Sequence, residues 1–191
     1  MMRTLSKDEV EYEKHKLMKL IREGSIFIYP TDTIYGIGCN GLDEECVKKI
    51  RKIKKRNTNP FSVIAPSKEW IYQNCEVGEK EKEWVEKLPG PYTLILKLKN
   101  KNLVPKQLNN GLNTLGVRIP QHWISDFVKE LGIPIVTTSA NIAGKRFMTS
   151  LEDLDSEIKK NVDFMIYTGK IDGRPSKLIK LHEEKVSIVE R

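Results

Sequence analysis

Short β-rich runs alternate with amphipathic helical stretches along this chain, and that alternation constrains its fold more than any other feature. Residues 25–29 form a β-rich run that ends at Pro30, whereas residues 43–55 carry apolar side chains at helical spacing. Further strands are predicted over residues 61–65, 93–98, 115–119, 133–137, 164–167, 178–181 and 186–189, and further helices over residues 6–24, 79–88, 125–131 and 150–159. Such alternation is typical of an α/β domain, and a hairpin expected around Glu183 predicts a mixed sheet flanked by helices.

The length of 191 residues fits a single domain spanning residues 1–191. The longest uncharged stretch, residues 131–144, is shorter than the roughly 20 apolar residues that cross a membrane. The first residues run into charged sequence rather than an apolar leader. We therefore expect a soluble, cytoplasmic protein with no membrane partner.

The charge balance is basic, because 33 lysine and arginine residues against 26 acidic residues give a net charge of +7. This surplus favours anionic partners such as nucleotides or nucleic acids, although a lysine-rich surface that keeps the protein soluble would produce it equally. Three cysteines, Cys39, Cys46 and Cys75, form no C-x-x-C pair, and the three histidines are scattered. These spacings predict buried free thiols rather than a disulfide framework or a metal site.

Residues 36–41 match the dinucleotide-binding pattern G-x-G-x-x-G. That pattern needs a strand directly before it, a helix directly after it and an acidic residue about 20 positions later. Here a polar segment precedes the glycines, and the residues at that later position are basic. The phosphate-binding pattern G-x-x-x-x-G-K-[ST] and the nucleophile pattern G-x-S-x-G do not occur in the sequence. The sequence thus argues against a Rossmann site, a P-loop and a serine hydrolase.

Four polar clusters remain at the edges of predicted strands: residues 30–36, residues 54–56, residues 138–144, and Arg118 inside an apolar strand. The hydroxyl-rich and amide-rich clusters could simply be turns that bond their own backbone, and the basic cluster could be a solvated helix face. A buried arginine, in contrast, must be paired, reach solvent or face a ligand. Because polar groups at strand ends converge on the ligand crevice of an open α/β sheet, the clusters together predict a pocket for a phosphorylated, partly carboxylate ligand.

At these residues the sequence resembles the YrdC-like family, whose members make threonylcarbamoyl-adenylate for tRNA modification. The resemblance extends from the first helix to the final hairpin. It is carried by the segments Pro30-Thr31-Asp32-Thr33-Ile34-Tyr35-Gly36, Lys54-x-Arg56, Pro89-Gly90-Pro91-Tyr92-Thr93, Val117-Arg118-Ile119-Pro120, Thr138-Ser139-Ala140-Asn141 and Pro175-Ser176. Each segment alone is a weak signal, whereas their order and spacing together are specific.

The resemblance implies a twisted α/β fold around a basic cavity, and an enzyme that uses ATP, bicarbonate and L-threonine with Mg²⁺. It places the nucleotide site at Lys54, Arg56, Ser139, Asn141 and Thr114, with Lys54 and Arg56 as catalytic cations, and the threonine site at Thr33, Tyr35, Arg118 and Ser176. The nucleophile would belong to the substrate, so that the protein would align reactants and stabilise negative charge. Asp32 could help a metal or form a turn. A downstream threonylcarbamoyl-transferase complex and direct contact with tRNA or double-stranded RNA are the implied macromolecular partners.

Two departures from the family pattern leave alternatives open. After Arg56, residues 57–59 lead directly to Pro60, where the synthases commonly carry a proline and a longer loop. Lys180 also replaces an acidic residue usual at that position. Shortened loops occur in YciO-like proteins and in the carbamoyl-transferring domain of hydrogenase maturation factors. The alternatives are therefore a paralogue acting on another carbamoyl- or acyl-adenylate, and a tRNA or double-stranded-RNA binding module.

Overall fold

The computed structural model describes residues 2–55 and 58–191. Within these residues the strands are β1 (Arg3–Leu5), β2 (Phe27–Tyr29), β3 (Gly36–Gly38), β4 (Ser62–Ile64), β5 (Tyr92–Lys97), β6 (Thr114–Arg118), β7 (Ile135–Ser139), β8 (Phe164–Ile166), β9 (Lys177–Lys180) and β10 (Ser187–Val189). The helices are α1 (Lys7–Tyr12), α2 (Lys14–Arg22), α3 (Glu44–Lys54), α4 (Lys68–Asn74), α5 (Glu79–Val85), α6 (Lys106–Asn109), α7 (Ile124–Leu131) and α8 (Ser156–Asn161), with a 3-10 turn at Leu151–Asp153.

The strands form one ten-stranded sheet in the order β1-β8-β2-β3-β7-β4-β6-β5-β9-β10. The pairs β1–β8, β2–β8, β4–β6 and β5–β9 are parallel, and the other pairs are antiparallel. The mixed sheet is therefore confirmed. The predicted late hairpin is confirmed as well, since Ile188 on β10 lies opposite Ile179 on β9.

Helices cover both faces of the sheet, as the alternation of side chains along β2 shows. Phe27 and Tyr29 pack in a cluster with Leu17 of α2 and Phe127 of α7, whereas Ile28 belongs to a second cluster that includes residues of α3. Successive side chains of a strand point to opposite faces, so the two clusters lie on opposite sides of the sheet. The architecture is a layered α/β fold, as expected from the sequence.

Some element boundaries differ from the prediction. Residues 6–24 form two helices that meet at Glu13, and residues 150–159 form a 3-10 turn followed by α8 rather than one helix. In the second case Asp155 starts a new helix, because its carboxylate accepts from the backbone N of Glu157 at 2.8 Å. Strand β7 also begins two residues later than the predicted strand.

Strand β3 was not predicted, because glycines disfavour strands when only local sequence is considered. The fold requires them here. A Cβ atom on Gly38 would lie 2.3 Å from the carbonyl O of Val136 and 2.8 Å from the ring of Tyr29. The glycines therefore let β3 pass close to its neighbours, so the G-x-G-x-x-G match has a packing origin.

The three cysteines are buried free thiols, as predicted. Burial raises the pKa of Cys75 to about 12 and raises the pKa of Cys39 as well. Among the described helices none is both long and apolar enough to cross a membrane.

Candidate functional site

A pocket of about 260 Å³ lies among the central strands and the segments that follow β2 and β8. Most of its lining residues carry a hydroxyl group. They are Thr31, Thr33, Ile34, Tyr35, Gly36, Pro60, Phe61, Ser62, Thr93, Arg118, Thr137, Thr138, Ser139, Pro175, Ser176 and Arg191. The charged members of this described lining are both arginines, so the pocket is suited to an anionic ligand.

The floor of the pocket is a row of small residues across neighbouring strands. Ser62 on β4 lies opposite Thr137 on β7 and opposite Gly116 on β6. A Cβ atom on Gly116 would lie 2.2 Å from Ser62 Oγ and 3.2 Å from Thr93 Cγ2. Gly116 therefore has no room for a side chain beside Ser62 and Thr93, which line the pocket.

Arg118, the last residue of β6, is a buried cation that is only 4% exposed. Its Nη2 donates to Asp32 Oδ1, and Asp32 Oδ2 accepts from the backbone N of Gln121 at 3.0 Å. Its Nη1 donates to Thr33 Oγ1 at 3.1 Å. Burial lowers the pKa of Arg118, and the Asp32 carboxylate opposes that shift. An arginine stays charged under such conditions, because its ordinary pKa is above about 12.

The Nε atom of Arg118 is buried and has no hydrogen-bond partner among the described residues. Buried polar groups of folded proteins are usually bonded, and an unbonded N–H of a cation therefore calls for an acceptor. The guanidinium is also held in place by Asp32 and Thr33. A fixed guanidinium with unused donors is a suitable partner for a carboxylate or a phosphate.

The hydroxyl group of Thr31 is used within its own segment. Thr31 Oγ1 donates its single proton to the carbonyl O of Ile34 at 2.7 Å, and it accepts from the backbone N of Thr33 at 3.1 Å and of Ile34 at 3.3 Å. Thr33 Oγ1 lies 3.0 Å from Thr31 Oγ1 and accepts from Arg118 Nη1 at 3.1 Å, which occupies one of its two lone pairs. The second lone pair of Thr33 Oγ1 suits the amine of a ligand.

Lys54 holds the turn that follows β7. Its side chain is 1% exposed, and its Nζ donates to the carbonyl O of Ser139 at 2.5 Å, the carbonyl O of Asn141 at 2.7 Å and Asn141 Oδ1 at 3.0 Å. Ser139 Oγ donates to the same Oδ1 at 2.6 Å. The turn is thereby fixed with Ser139 in the pocket lining and with Lys54 behind it.

Ser176 and Arg191 form a wall of the pocket. Ser176 Oγ lies 2.6 Å from Thr93 Oγ1 and accepts from Arg191 Nη2 at 2.6 Å. Arg191 Nε also donates to the carbonyl O of Ser176 at 2.8 Å. The hairpin formed by β9 and β10 thus adds a second guanidinium to the pocket.

Tyr35 lines the pocket, but its hydroxyl is bound to the segment after β8. The hydroxyl donates to the carbonyl O of Gly169 at 2.6 Å and accepts from the backbone N of Thr168 at 3.1 Å. The ring stacks on Tyr167 with centroids 5.5 Å apart. Burial raises the pKa of the Tyr35 phenol, so that it remains protonated near neutral pH.

The predicted site residues that the structure brings together on this lining are Thr33, Tyr35, Arg118, Ser139 and Ser176. Lys54 and Asn141 lie directly behind Ser139 instead of on the lining. Thr114 lies on β6, two residues before Gly116, and is also not on the lining. Arg56 lies outside the described residues.

Sequence reasoning missed two further charged residues of the site. Asp32, considered as a metal helper or a turn former, is the ion-pair partner of Arg118, and the need to compensate a buried arginine was the signal that could have found it. Arg191 carried no comparable signal, because only the pairing of β10 with β9 brings it to Ser176.

The described residues do not fit a resident magnesium site. They contain no group of three or more His, Cys, Asp and Glu residues that could hold a metal. Asp32, the carboxylate beside the pocket, is already bound to Arg118 and to the backbone N of Gln121. Mg²⁺ is usually held by carboxylate, water and phosphate oxygens, so a magnesium ion would have to enter with a phosphorylated substrate.

Comparison with known proteins gives a consistent result. The sequence profile of the family Sua5/YciO/YrdC, described as "Telomere recombination", matches residues 19–191. A Methanocaldococcus jannaschii protein is 38% identical over 186 residues, which are 92% of this chain and 86% of that protein. The threonylcarbamoyl-AMP synthase of Bacillus subtilis is 37% identical over 82% of this chain and 45% of its own length.

Solved structures agree with the sequence comparison. Pyrococcus abyssi Sua5 complexed with L-threonine superposes with a TM-score of 0.86 at 32% identity, covering 98% of this chain and 56% of that one. Escherichia coli YciO has the same fold, with a TM-score of 0.86 at 24% identity over 100% of this chain and 96% of that one. The chain thus spans about half the length of the Bacillus and Pyrococcus proteins.

Proposed function

The chain belongs to the Sua5/YciO/YrdC family, and from that premise we propose that it is a threonylcarbamoyl-AMP synthase. It would be a nucleotidyltransferase that converts ATP, bicarbonate and L-threonine into threonylcarbamoyl-adenylate and pyrophosphate, for threonylcarbamoyladenosine modification of tRNA. The observation that carries the proposal is the convergence of Thr33, Arg118, Ser139 and Ser176 on one pocket that also contains Arg191.

The amino-acid end of the pocket would be formed by Arg118 and Thr33. Arg118 has an unused, buried Nε donor for a carboxylate, and Thr33 has a lone pair for the amine. A 3.1 Å hydrogen bond from Arg118 Nη1 to Thr33 Oγ1 joins the two side chains. They would therefore bind the carboxylate and the amine of one amino acid at a fixed spacing. Ser176 would complete this end from the opposite wall.

The nucleotide end would be formed by the turn after β7. Ser139 lines the pocket, Lys54 Nζ bonds its carbonyl O, and Asn141 Oδ1 accepts from its Oγ. We propose Lys54 as a positioning residue in this arrangement. Arg56 and Arg191 would supply the positive charge that faces the phosphates. The role of Arg56 rests on the family motif Lys54-x-Arg56 alone. Thr114, which shares a face of β6 with Gly116 and Arg118, would extend the nucleotide end beyond the lining.

The chemistry requires alignment and charge stabilisation by these residues. The threonine amine and bicarbonate combine into a carbamate with loss of water. A carbamate oxygen then forms a bond to the α-phosphorus of ATP, and the bond from that phosphorus to the β-phosphate oxygen breaks, so pyrophosphate leaves with the electron pair. Two arginines that bind the developing negative charge would lower the barrier, at about 1.5–3 kcal/mol for each charge-assisted bond. Mg²⁺ would arrive as the counter-ion of ATP.

The test is pyrophosphate release from ATP in the presence and absence of each other substrate. We expect release to require threonine and bicarbonate together, and Arg56→Ala to reduce it at least about 100-fold, the scale of losing one well-placed charge contact. An unchanged rate of pyrophosphate release without threonine would contradict the proposal, and it would favour a paralogue acting on another carbamoyl- or acyl-adenylate.

We also propose a cellular location and macromolecular partners for the enzyme. A cytoplasmic protein with residues 1–191 as one domain would hand its labile product to a threonylcarbamoyl-transferase complex. Direct contact with tRNA or double-stranded RNA would show as binding that weakens steeply with salt and depends on many lysines. Such binding without threonine-dependent pyrophosphate release would favour the RNA-binding module instead.

A further inference from the structure

Residues 167–176 connect β8 to β9 without regular secondary structure, and we refer to them as the strap. The strap runs along the outside of the molecule, with Thr168, Lys170, Asp172 and Arg174 exposed. Its last two residues, Pro175 and Ser176, line the pocket. The path of the strap therefore contributes to the position of this wall, together with the bonds from Ser176 to Thr93 and Arg191.

The strap is held at its ends, where Tyr167 N donates to the carbonyl O of Leu5 at 2.9 Å and Ser176 bonds Thr93 and Arg191, but its middle has few attachments to the rest of the described chain. One backbone-to-backbone hydrogen bond, from Ile171 N to the carbonyl O of Thr149 at 2.9 Å, holds its middle. Its backbone also lies directly against Thr33, because a Cβ atom on Gly173 would be 1.9 Å from the Thr33 carbonyl O. A segment with so few backbone bonds depends on the side chains that hold it.

Tyr35 supplies two of these attachments through one hydroxyl group, which bonds the carbonyl O of Gly169 and the backbone N of Thr168. Tyr35 is itself rigidly held, with 0% exposure. Its backbone N donates to the carbonyl O of Met148 at 3.2 Å, and its carbonyl O accepts from Ala140 N at 3.1 Å. It therefore links the strap to the part of the chain that carries Thr33.

We infer that Tyr35 is a positioning residue for amino-acid binding, which it controls by seating the strap on Thr33 and so placing Ser176. This inference rests on the proposed function and refines the predicted role of Tyr35 as a direct threonine ligand. The strap already takes the donor proton of the hydroxyl and one of its lone pairs. Tyr35 acts on the ligand through Ser176.

Tyr35→Phe tests the inference, because it removes the hydroxyl and keeps the stacked ring. We expect the KM for L-threonine to rise about tenfold, which corresponds to the loss of about one hydrogen bond in binding free energy. The KM for ATP should stay within about twofold. Amide hydrogen exchange over residues 168–176 should become faster in the protein alone, and exchange in β2 and β7 should not change.

Gly173→Ala displaces the strap by a different route, through the clash with the Thr33 carbonyl, and should give the same pattern of KM changes. Asp172→Ala is the matched control within the strap. Its side chain is 89% exposed and contacts Lys170 at the surface, so this variant should behave as the wild type. A double variant of Tyr35→Phe with Ser176→Ala should be no worse than Ser176→Ala alone, since both changes act through the same residue.

Unchanged exchange over the strap in Tyr35→Phe would overturn the inference. Additive effects of Tyr35→Phe and Ser176→Ala on the threonine KM would overturn it as well, and would restore Tyr35 as a direct ligand. The exchange experiment needs no substrate. A wild-type protein that releases no pyrophosphate with threonine, yet shows the faster exchange in Tyr35→Phe, would refute the proposed synthase and leave the seating of the strap supported.

Discussion

Arg118 and Asp32 form a buried ion pair at the pocket, with side chains that are 5% and 12% exposed. The two residues are far apart in the chain and are joined by a hydrogen bond from Arg118 Nη2 to Asp32 Oδ1. The carboxylate neutralises the guanidinium without covering its Nε, which stays unbonded among the described residues. The pair thus fixes the orientation of the guanidinium beside the pocket.

Removing the charge of Asp32 should destabilise the protein. Asp32→Asn leaves Arg118 buried without a counter-charge, and breaking a buried pair in this way costs about 3–5 kcal/mol. Urea denaturation monitored by circular dichroism measures the change in the free energy of unfolding. Asp172→Asn, which removes an exposed carboxylate, is the control and should leave the midpoint unchanged. A midpoint in Asp32→Asn equal to that of the control would show that the pair contributes nothing.

Lys54 should matter through the turn it holds. Lys54→Met removes the ammonium that bonds Ser139 and Asn141, and leaves their carbonyl groups without this partner. We expect kcat/KM for ATP in the pyrophosphate assay to fall at least about 100-fold, because three charge-assisted bonds are lost and two of them alone contribute roughly 3 kcal/mol or more. Lys52→Met removes an exposed lysine of the same helix and should retain full activity. Equal losses in the two variants would mean that general charge, rather than the turn, is responsible.

Gly116 should not tolerate a side chain. In Gly116→Ala the new methyl group meets Ser62 Oγ, and such overpacking costs about 1–3 kcal/mol. Adding Ser62→Gly removes the obstructing atoms, so the double variant should recover part of the lost stability. Thermal denaturation of the two single variants and the double variant measures this. Simple addition of the two single effects would contradict the proposed clash.

The buried thiols should resist modification in the folded protein. Burial raises the pKa of Cys75 to about 12, and a protonated, buried thiol is a poor nucleophile. At pH 8 a disulfide reagent should therefore react slowly with the native protein and fully with all three cysteines in urea. Rapid reaction of the native protein would refute the burial of these thiols.

The raised pKa of Cys75 also makes stability depend on pH. Because the unfolded thiol has a pKa near 8.5, the unfolded state loses its proton first, and the free energy of unfolding should fall as pH rises from about 9 towards 12.

Five residues predicted for the site lie on the lining of the candidate pocket, whereas the contacts that hold them there were not predicted. Arg118 was predicted because a buried arginine must be paired, reach solvent or face a ligand. Short motifs of the family resemblance predicted Thr33, Ser139 and Ser176. The family resemblance grouped Lys54 with Ser139 and Asn141, but it did not predict their direct hydrogen bonds, which join residues 85 and 87 positions apart in the chain. Local sequence contains no information about such contacts.

The same limit applies to the strands. Strands with β-branched and aromatic residues, such as β2 and β6, were predicted, because their local preference agrees with the fold. Strand β3 was missed, because its glycines are required by the ring of Tyr29 and the backbone of Val136, which are tertiary contacts. Arg191 was missed for a related reason, since hairpin pairing alone carries it to the pocket.

The bare backbone at Gly116 limits how this cavity could be re-engineered for other ligands. New volume or new chemistry cannot be introduced at this position, because Ser62 and Thr93 already occupy the space that a side chain would need. Mutant libraries aimed at altered selectivity should leave Gly116 untouched and sample other residues of the lining, such as Phe61 and Ser176.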